Sequence, residues 1–438
     1  MRYYKSILKT NKNQITNKLY ICIDLKSFFA SVECVERGLD PFTTNLVVAD
    51  PDRSKNTICL AITPAMKSLG IHNRCRVFQI PSEIDYIIAV PRMQLYIDYA
   101  AKVYGVYLKY VSPNDIHVYS VDEAFLDVTE YLQTYNMNGK QLGRNIMEDI
   151  YQKTGLRSAC GIGTNLYLAK IALDITAKHS IDFIGILDET TYIETMWHHK
   201  PLTDFWKVGR GTAERLSHIG INDMYGVAMC KEEILYSIFG KDAELLIDHA
   251  WGRESATIAN IKAYCSSSHS MSSGQVLMCD YTFDEALIII REMADQLCLD
   301  MVDKNVVTSS LTLSIAYSNK LHCPPSNGCI KLEFETNGDK FIIPAVVELY
   351  QKITDRNKPI RHINMTFNNI HKENVCCYSL FDEDNEQIFR NRNIQKAVLN
   401  VKKRFGKNAI LKCLDYLDAA TARERNMQIG GHKSGVQT

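Results

Sequence analysis

Apolar and polar positions follow two rhythms along the chain. Residues 19–24 form an apolar run that ends in Asp24, and residues 118–129 form two β-rich apolar runs with Asp122 and Glu123 at the bend. Runs of this length and composition predict a buried strand and a strand–turn–strand. After Asp24 the apolar positions switch to helical spacing. Helices are predicted over residues 93–111 (stopped by Pro113), 139–155 and 165–177, with a strand at 158–162. Residues 41–91 read as a compact insert: a strand at 46–49, a polar turn, a strand at 57–62 and a helix opened by Pro64. With the insert set aside, the order is β-α-β-β-α-β plus one helix, an α+β split βαβ unit. Its first strand and central hairpin are neighbours, which would bring Asp24, Asp122 and Glu123 to one sheet edge.

Residues 186–255 are helical with short loops. Inside them Val208-Gly209-Arg210-Gly211 joins two short helical patterns and predicts a helix-hairpin-helix turn. Its glycines would let backbone N–H groups approach a phosphate, a contact that positions nucleic acid without reading its sequence. A serine-rich linker (256–269) leads to a second βαββαβ pattern over 270–375, with strands at 275–278, 307–316, 329–333 and 361–367 and helices at 284–302 and 341–353. From residue 376 the character changes. A Tyr378-Ser-Leu-Phe cluster precedes a basic helix (393–405), and a polar, glycine-bearing stretch over 422–438 reads as flexible. Gly161-Ile-Gly163 lacks the third glycine of a dinucleotide fingerprint and reads as a strand-to-helix turn.

Composition adds exclusions. The 438 residues, 46% apolar and 23% charged, suffice for several packed domains, and no apolar run is long enough to span a membrane. The 14 cysteines are scattered without CxxC pairs, as expected for reduced thiols in a cytoplasmic protein. The first 18 residues are polar and basic, unlike a secretory signal. The net charge of zero conceals +3 over residues 1–185, −5 over 186–254, −2 over 255–375 and +4 over 376–438. A nucleic-acid partner would therefore be held weakly and in a salt-sensitive way.

An isolated Asp-Glu at a bend is usually a solvated hairpin tip. Here the surrounding residues point elsewhere. Asp24-Leu-Lys-Ser-Phe-Phe-Ala-Ser-Val-Glu and Tyr119-Ser-Val-Asp-Glu-Ala-Phe-Leu-Asp resemble the two catalytic motifs of Y-family (translesion) DNA polymerases. Gly161-Ile-Gly-Thr-Asn-Leu-Tyr-Leu-Ala-Lys-Ile-Ala resembles the third palm motif, and the Val208-Gly-Arg-Gly turn resembles the thumb. The resemblance runs in order from about residue 19 to residue 382. The tail resembles the UmuC-like branch of Gram-positive bacteria and their mobile elements.

The resemblance implies a right hand: palm (18–40 and 92–185), fingers (41–91), thumb (186–255), little finger (270–375) and a clamp-binding, flexible tail (376–438). It implies that Asp24, Asp122, Glu123 and the Leu25 backbone carbonyl hold two Mg²⁺ ions, hard cations suited to oxygen ligands. Phe29 occupies the steric-gate position against a ribose 2′-OH, with Phe28 beside it. Ile58 and Leu60 would roof the nascent base pair, and Lys67 and Lys178 would meet the dNTP triphosphate. Two departures stand out. Ala61 and Pro64 replace the family's Thr/Tyr pair, and the chain has one extra residue after Asp174. Leu380-Phe381 resembles the end of a sliding-clamp peptide. The implied partners are primer-template DNA, a sliding clamp and accessory mutagenesis subunits, and no membrane. Two rivals remain at this point, a palm-type nucleotide cyclase and a catalytically inactive, clamp-tethered protein of the same fold.

Overall fold

The structure, a computed structural model, describes residues 18–53, 57–264, 269–373 and 385–435. The chain divides into two compact units, Met1–Tyr264 and Cys265–Thr438.

The first unit is built on β1 (Tyr20–Leu25). An insert sheet follows, made of β2 (Leu46–Val48), β3 (Ala61–Ile62) and β4 (Ile87–Ala89) in the order β3-β2-β4. The main sheet is completed by β5 (Ile116–Val118), β6 (Glu123–Asp127), β7 (Ser158–Gly163) and β8 (Ile184–Leu187), in the order β5-β6-β1-β7-β8. β1 pairs antiparallel with both β6 and β7. It is buried on both faces, which explains its unbroken apolar run. Ile21 and Ile23 point into a core with Val103, Val106, Ile146 and Ile150, from helices Met93–Tyr107 and Gly139–Thr154. Tyr20 and Cys22 point the other way, against Phe125, Leu166, Ala169 and Leu173.

Several elements depart from the sequence pattern. The strand expected at 57–62 shrinks to β3, with Ile58 in a single bridge to Arg76. β4 and β8 are too short to carry a periodic signal. The helix expected over 165–177 has three pieces: an α-helix (Leu166–Ile171), a π-turn (Ala172–Thr176) and a 3₁₀ turn (Ala177–His179). A π-turn accommodates one extra residue in a helix, and this one spans Asp174. Gly161 and Gly163 lie inside β7, not in a turn. A Cβ at Gly161 would stand 2.1 Å from the Ala169 carbonyl oxygen, and one at Gly163 would stand 2.2 Å from the Ala169 nitrogen. These glycines let helix Leu166–Ile171 lie directly on the sheet. The insert helix Pro64–Ser68 begins as expected, with Thr63 as its N-cap. Short helices, among them Arg210–Ser217 and Asp242–Ala250, fill residues 186–255.

The second unit carries β9 (Met271–Tyr281), β10 (Val306–Tyr317), β11 (Ser326–Thr336) and β12 (Ile360–Asn368), in the order β11-β10-β12-β9. Helices Phe283–Lys304 and Asp339–Ile353 pack on it through Ile290, Met293, Ile342 and Val346. The tail differs from the flexible stretch expected. Helix Asn385–Phe405 is followed by a small hairpin, and buried Glu292 accepts hydrogen bonds from the Thr421 and Ala422 backbone N–H groups at 3.1 and 3.0 Å. Lys412 adds a 3.0 Å pair to Asp339. Leu380 and Phe381 lie outside the described residues. No helix among the described residues is long and apolar enough to cross a membrane.

Candidate active site

The register of β1 against β6 places Asp24 directly opposite Glu123. The Leu25 N–H donates to the Asp122 carbonyl at 3.0 Å, and the N–H groups of Tyr119 and Ser120 both donate to the Glu123 carbonyl. This tight turn fixes Asp122 and Glu123 at the end of β1, so the three predicted carboxylates share one edge. Their surroundings differ. The Asp122 carboxylate accepts from Ser120 Oγ at 2.6 Å. Glu123 is buried, 2.8 Å from Lys170 Nζ, and accepts from Cys22 Sγ at 3.2 Å. Asp24 is pushed up to about 7. Burial is the main cause; Lys178 opposes it, and the neighbouring Asp122 and Glu123 add to it.

Among the described residues, no group of three His, Cys, Asp or Glu side chains forms a ready-made metal cage. The donor chemistry nonetheless suits a hard divalent cation. All three groups are carboxylates, and burial beside two like charges, only partly offset by lysines, raises Asp24.

Lysines surround this edge. Lys170 pairs with Asp174 at 3.0 Å, and Lys178 shares the same carboxylate at 2.9 Å. The π-turn keeps Lys170, Asp174 and Lys178 in one chain of contacts. Lys67 of the insert is held below the usual lysine range by burial, opposed by Asp24, with Lys178 adding to the depression. Lys26 is depressed by burial too; Asp24 opposes this, while Lys178 and Lys67 reinforce it. Lys26, Lys67 and Lys178 therefore crowd one another beside Asp24, a concentration of positive charge that favours an anion.

The chain matches the impB/mucB/samB family over residues 23–174 and that family's C-terminal domain over residues 268–379, together more than half of its length. The chain belongs to the Y-family of DNA polymerases. It is 28% identical, over 96% of its length and 99% of the relative's, to a Bacillus subtilis (strain 168) protein, UvrX, named for UV-damage repair. It is 25% identical, over 95% of its length and 98% of the relative's, to DNA polymerase IV 2 of the same organism. A solved structure of a chimeric Y-family DNA polymerase shares its fold with a TM-score of 0.63 at 22% identity, covering 81% of this chain and 99% of that one.

In polymerase terms, the other predicted residues fall as follows. Phe28 is buried, while Phe29 is half-buried and stacks on Tyr96 with centroids 4.6 Å apart. Ile58 is exposed, and Leu60 is anchored by its N–H to Val48 at 2.8 Å. In the 208–211 turn, Val208 is buried, and a Cβ at Gly209 or Gly211 would meet nothing within 4 Å. Those glycines leave an unobstructed surface beside exposed Arg210 at the start of helix Arg210–Ser217. Trp206, next to that turn, donates from Nε1 to the Tyr119 hydroxyl at 3.0 Å, linking that segment to the Asp122-Glu123 hairpin.

Sequence reasoning passed over Lys26, Lys170 and Trp206. Lys170 carried a readable signal, a lone cation inside the apolar run Tyr167-Leu-Ala-Lys-Ile-Ala. Trp206 carried none, because its partner is distant in sequence.

Proposed function

We propose that this polymerase performs template-directed, translesion-type synthesis, adding dNMP to a primer 3′-OH with two Mg²⁺ ions. The observation that carries the reading is Asp24 opposite Glu123 at one sheet edge, with Lys26, Lys67 and Lys178 crowded beside it. Asp24, Asp122, Glu123 and the Leu25 carbonyl would hold the ions. Bound there, they would acidify the primer 3′-OH and neutralise the triphosphate and departing pyrophosphate. Lys67 and Lys178 receive the triphosphate as point charges. They take over from the absent Thr/Tyr pair. Phe29 excludes a ribose 2′-OH, the group that marks RNA. Ile58 and Leu60 cover the nascent base pair, and residues 208–211 hold the duplex backbone through peptide N–H groups.

The acidic thumb implies weak unaided binding and low processivity. Tethering to a sliding clamp through Leu380-Phe381 would raise the effective DNA concentration, and accessory mutagenesis subunits would act in the same direction. Primer extension with Mg²⁺ on undamaged and lesion-bearing templates tests the proposal. Extension past a lesion, lost in Asp122→Ala or Glu123→Ala, is the expected result. Full extension by either variant would refute the site.

A further inference from the structure

A steric gate discriminates only as far as its wall refuses to yield. The half-buried Phe29 ring can move away from a bulkier sugar unless something stands behind it. What stands behind it is Tyr96, from helix Met93–Tyr107, stacked at 4.6 Å with the ring planes 20° apart. Phe28 packs against both, 5.5 Å from Phe29 and 6.4 Å from Tyr96. Tyr96 is itself fully buried, and its hydroxyl donates to Glu33 at 2.7 Å. Glu33 lies one turn beyond Phe29 on helix Phe28–Val35, so the strut returns to the helix that carries the gate. Glu33 is fully buried and cannot drift. Arg92 grips it in a fork, Nε to Oε1 at 3.0 Å and Nη2 to Oε2 at 2.8 Å, and Arg37 pairs with it from the next turn. Bidentate guanidinium–carboxylate pairs fix orientation as well as distance.

We propose that Tyr96, pinned by the Glu33–Arg92 pair, is a positioning residue that stiffens Phe29 and so sets this polymerase's preference for deoxyribonucleotides over ribonucleotides. The inference rests on the reading of Phe29 as the gate. Tyr96 has no exposed surface of its own to offer a substrate; it acts through Phe29.

The test is single-nucleotide insertion on primer-template DNA, comparing kcat/KM for a dNTP and its matching rNTP. The enzymes compared are the wild type, Phe29→Ala, Tyr96→Leu and Tyr96→Phe. An aromatic pair is worth enough that its loss in Tyr96→Leu should raise the rNTP/dNTP ratio roughly three- to tenfold. Tyr96→Phe keeps the ring but frees its far end, and should raise the ratio by about twofold. A merely structural role would lower both substrates together and leave the ratio unmoved. If Phe29→Ala relaxes the ratio while neither Tyr96 variant does, the strut is wrong and the gate stands. If Phe29→Ala leaves the ratio unchanged, the gate reading itself fails, and the strut with it. If Tyr96→Leu does not fold, Tyr96→Phe decides, since it preserves volume and packing.

Discussion

Asp24 and Glu33 sit on either side of one strand-to-helix turn, and both are withdrawn from water, yet they are held in opposite ways. Asp24 is next to last in β1, beside two more carboxylates. Burial and those neighbours push it up to about 7, with Lys178 only partly offsetting them. Glu33 is more deeply buried, and burial alone would raise it. Hydrogen bonds from Arg92, Arg37 and Tyr96 outweigh that and hold it below the usual carboxylate range. The lysines near Asp24 only partly offset its burial, whereas the bonds to Glu33 more than offset its own. Burial therefore does not distinguish a site from a strut; the partners do.

The sharpest way to break this comparison is to neutralise each acid in turn. Asp24→Asn should cost primer extension roughly 10³-fold or more while the metal-free protein keeps its melting temperature. The pH sign supports this. Because folded Asp24 holds its proton up to about 7, its charge burdens stability increasingly between about pH 4 and pH 7, and fully above that range. The variant should thus melt at or above the wild-type temperature at pH 8. A variant that melts far below wild type would show Asp24 to be structural.

Glu33→Gln should do the reverse. It leaves Arg92 only the looser Glu36 carboxylate at 4.0 Å, at a cost of about 3 kcal/mol, the low end for a buried pair because Arg92 is partly exposed. Glu33 is depressed on folding, so its contribution is present above the unfolded pKa and is lost as the pH falls through the folded one. Melting curves at pH 7 and pH 4 should therefore show a penalty that shrinks in acid. A penalty independent of pH would mean that packing, not charge, is what Glu33 supplies.

Glu123 lies between the two extremes, a member of the carboxylate edge that has its own cation. Lys170→Met preserves the stem and removes the charge. Extension should fall roughly tenfold, because the buried carboxylate loses its orienting partner. Adding Mg²⁺ should raise the variant's melting temperature more than the wild type's, since an ion that binds only the folded state stabilises it by mass action. Equal Mg²⁺ shifts would separate Lys170 from the metal site.

How far these differences could be read from sequence depends on the range of the contacts. The apolar run into Asp24, the Asp122-Glu123 bend and the Thr63-Pro64 helix start are local patterns, and each formed as the residues dictate. The supply of charge is not local. Arg92 and Tyr96 reach Glu33 from another helix, and Lys170 reaches Glu123 across the sheet. Short strands such as Ile87–Ala89 and Ile184–Leu187 offer too few residues for a rhythm. Gly161 and Gly163 looked like a turn because a glycine needed for close helix–sheet packing has the same one-letter signature. The π-turn was visible only as a misfit of one residue near Asp174, and the tail's anchorage rests on Glu292, far from it in sequence.

The smallest expected effect concerns Asp122, the third carboxylate, which accepts from the exposed Ser120 hydroxyl at 2.6 Å. Ser120 lies in the turn itself, and its backbone N–H, which bonds the Glu123 carbonyl, is untouched by substitution. Ser120→Ala therefore removes only the side-chain hydrogen bond. A bond of this kind in contact with solvent contributes about 0.5–1.5 kcal/mol, so kcat should fall roughly two- to tenfold, with stability nearly unchanged. If the hydroxyl orients Asp122 for an ion, the loss should shrink at saturating Mg²⁺, where binding repays the cost of ordering the side chain. A loss independent of Mg²⁺ concentration would place Ser120 with the struts, alongside Tyr96, and leave Asp122 positioned by its backbone alone.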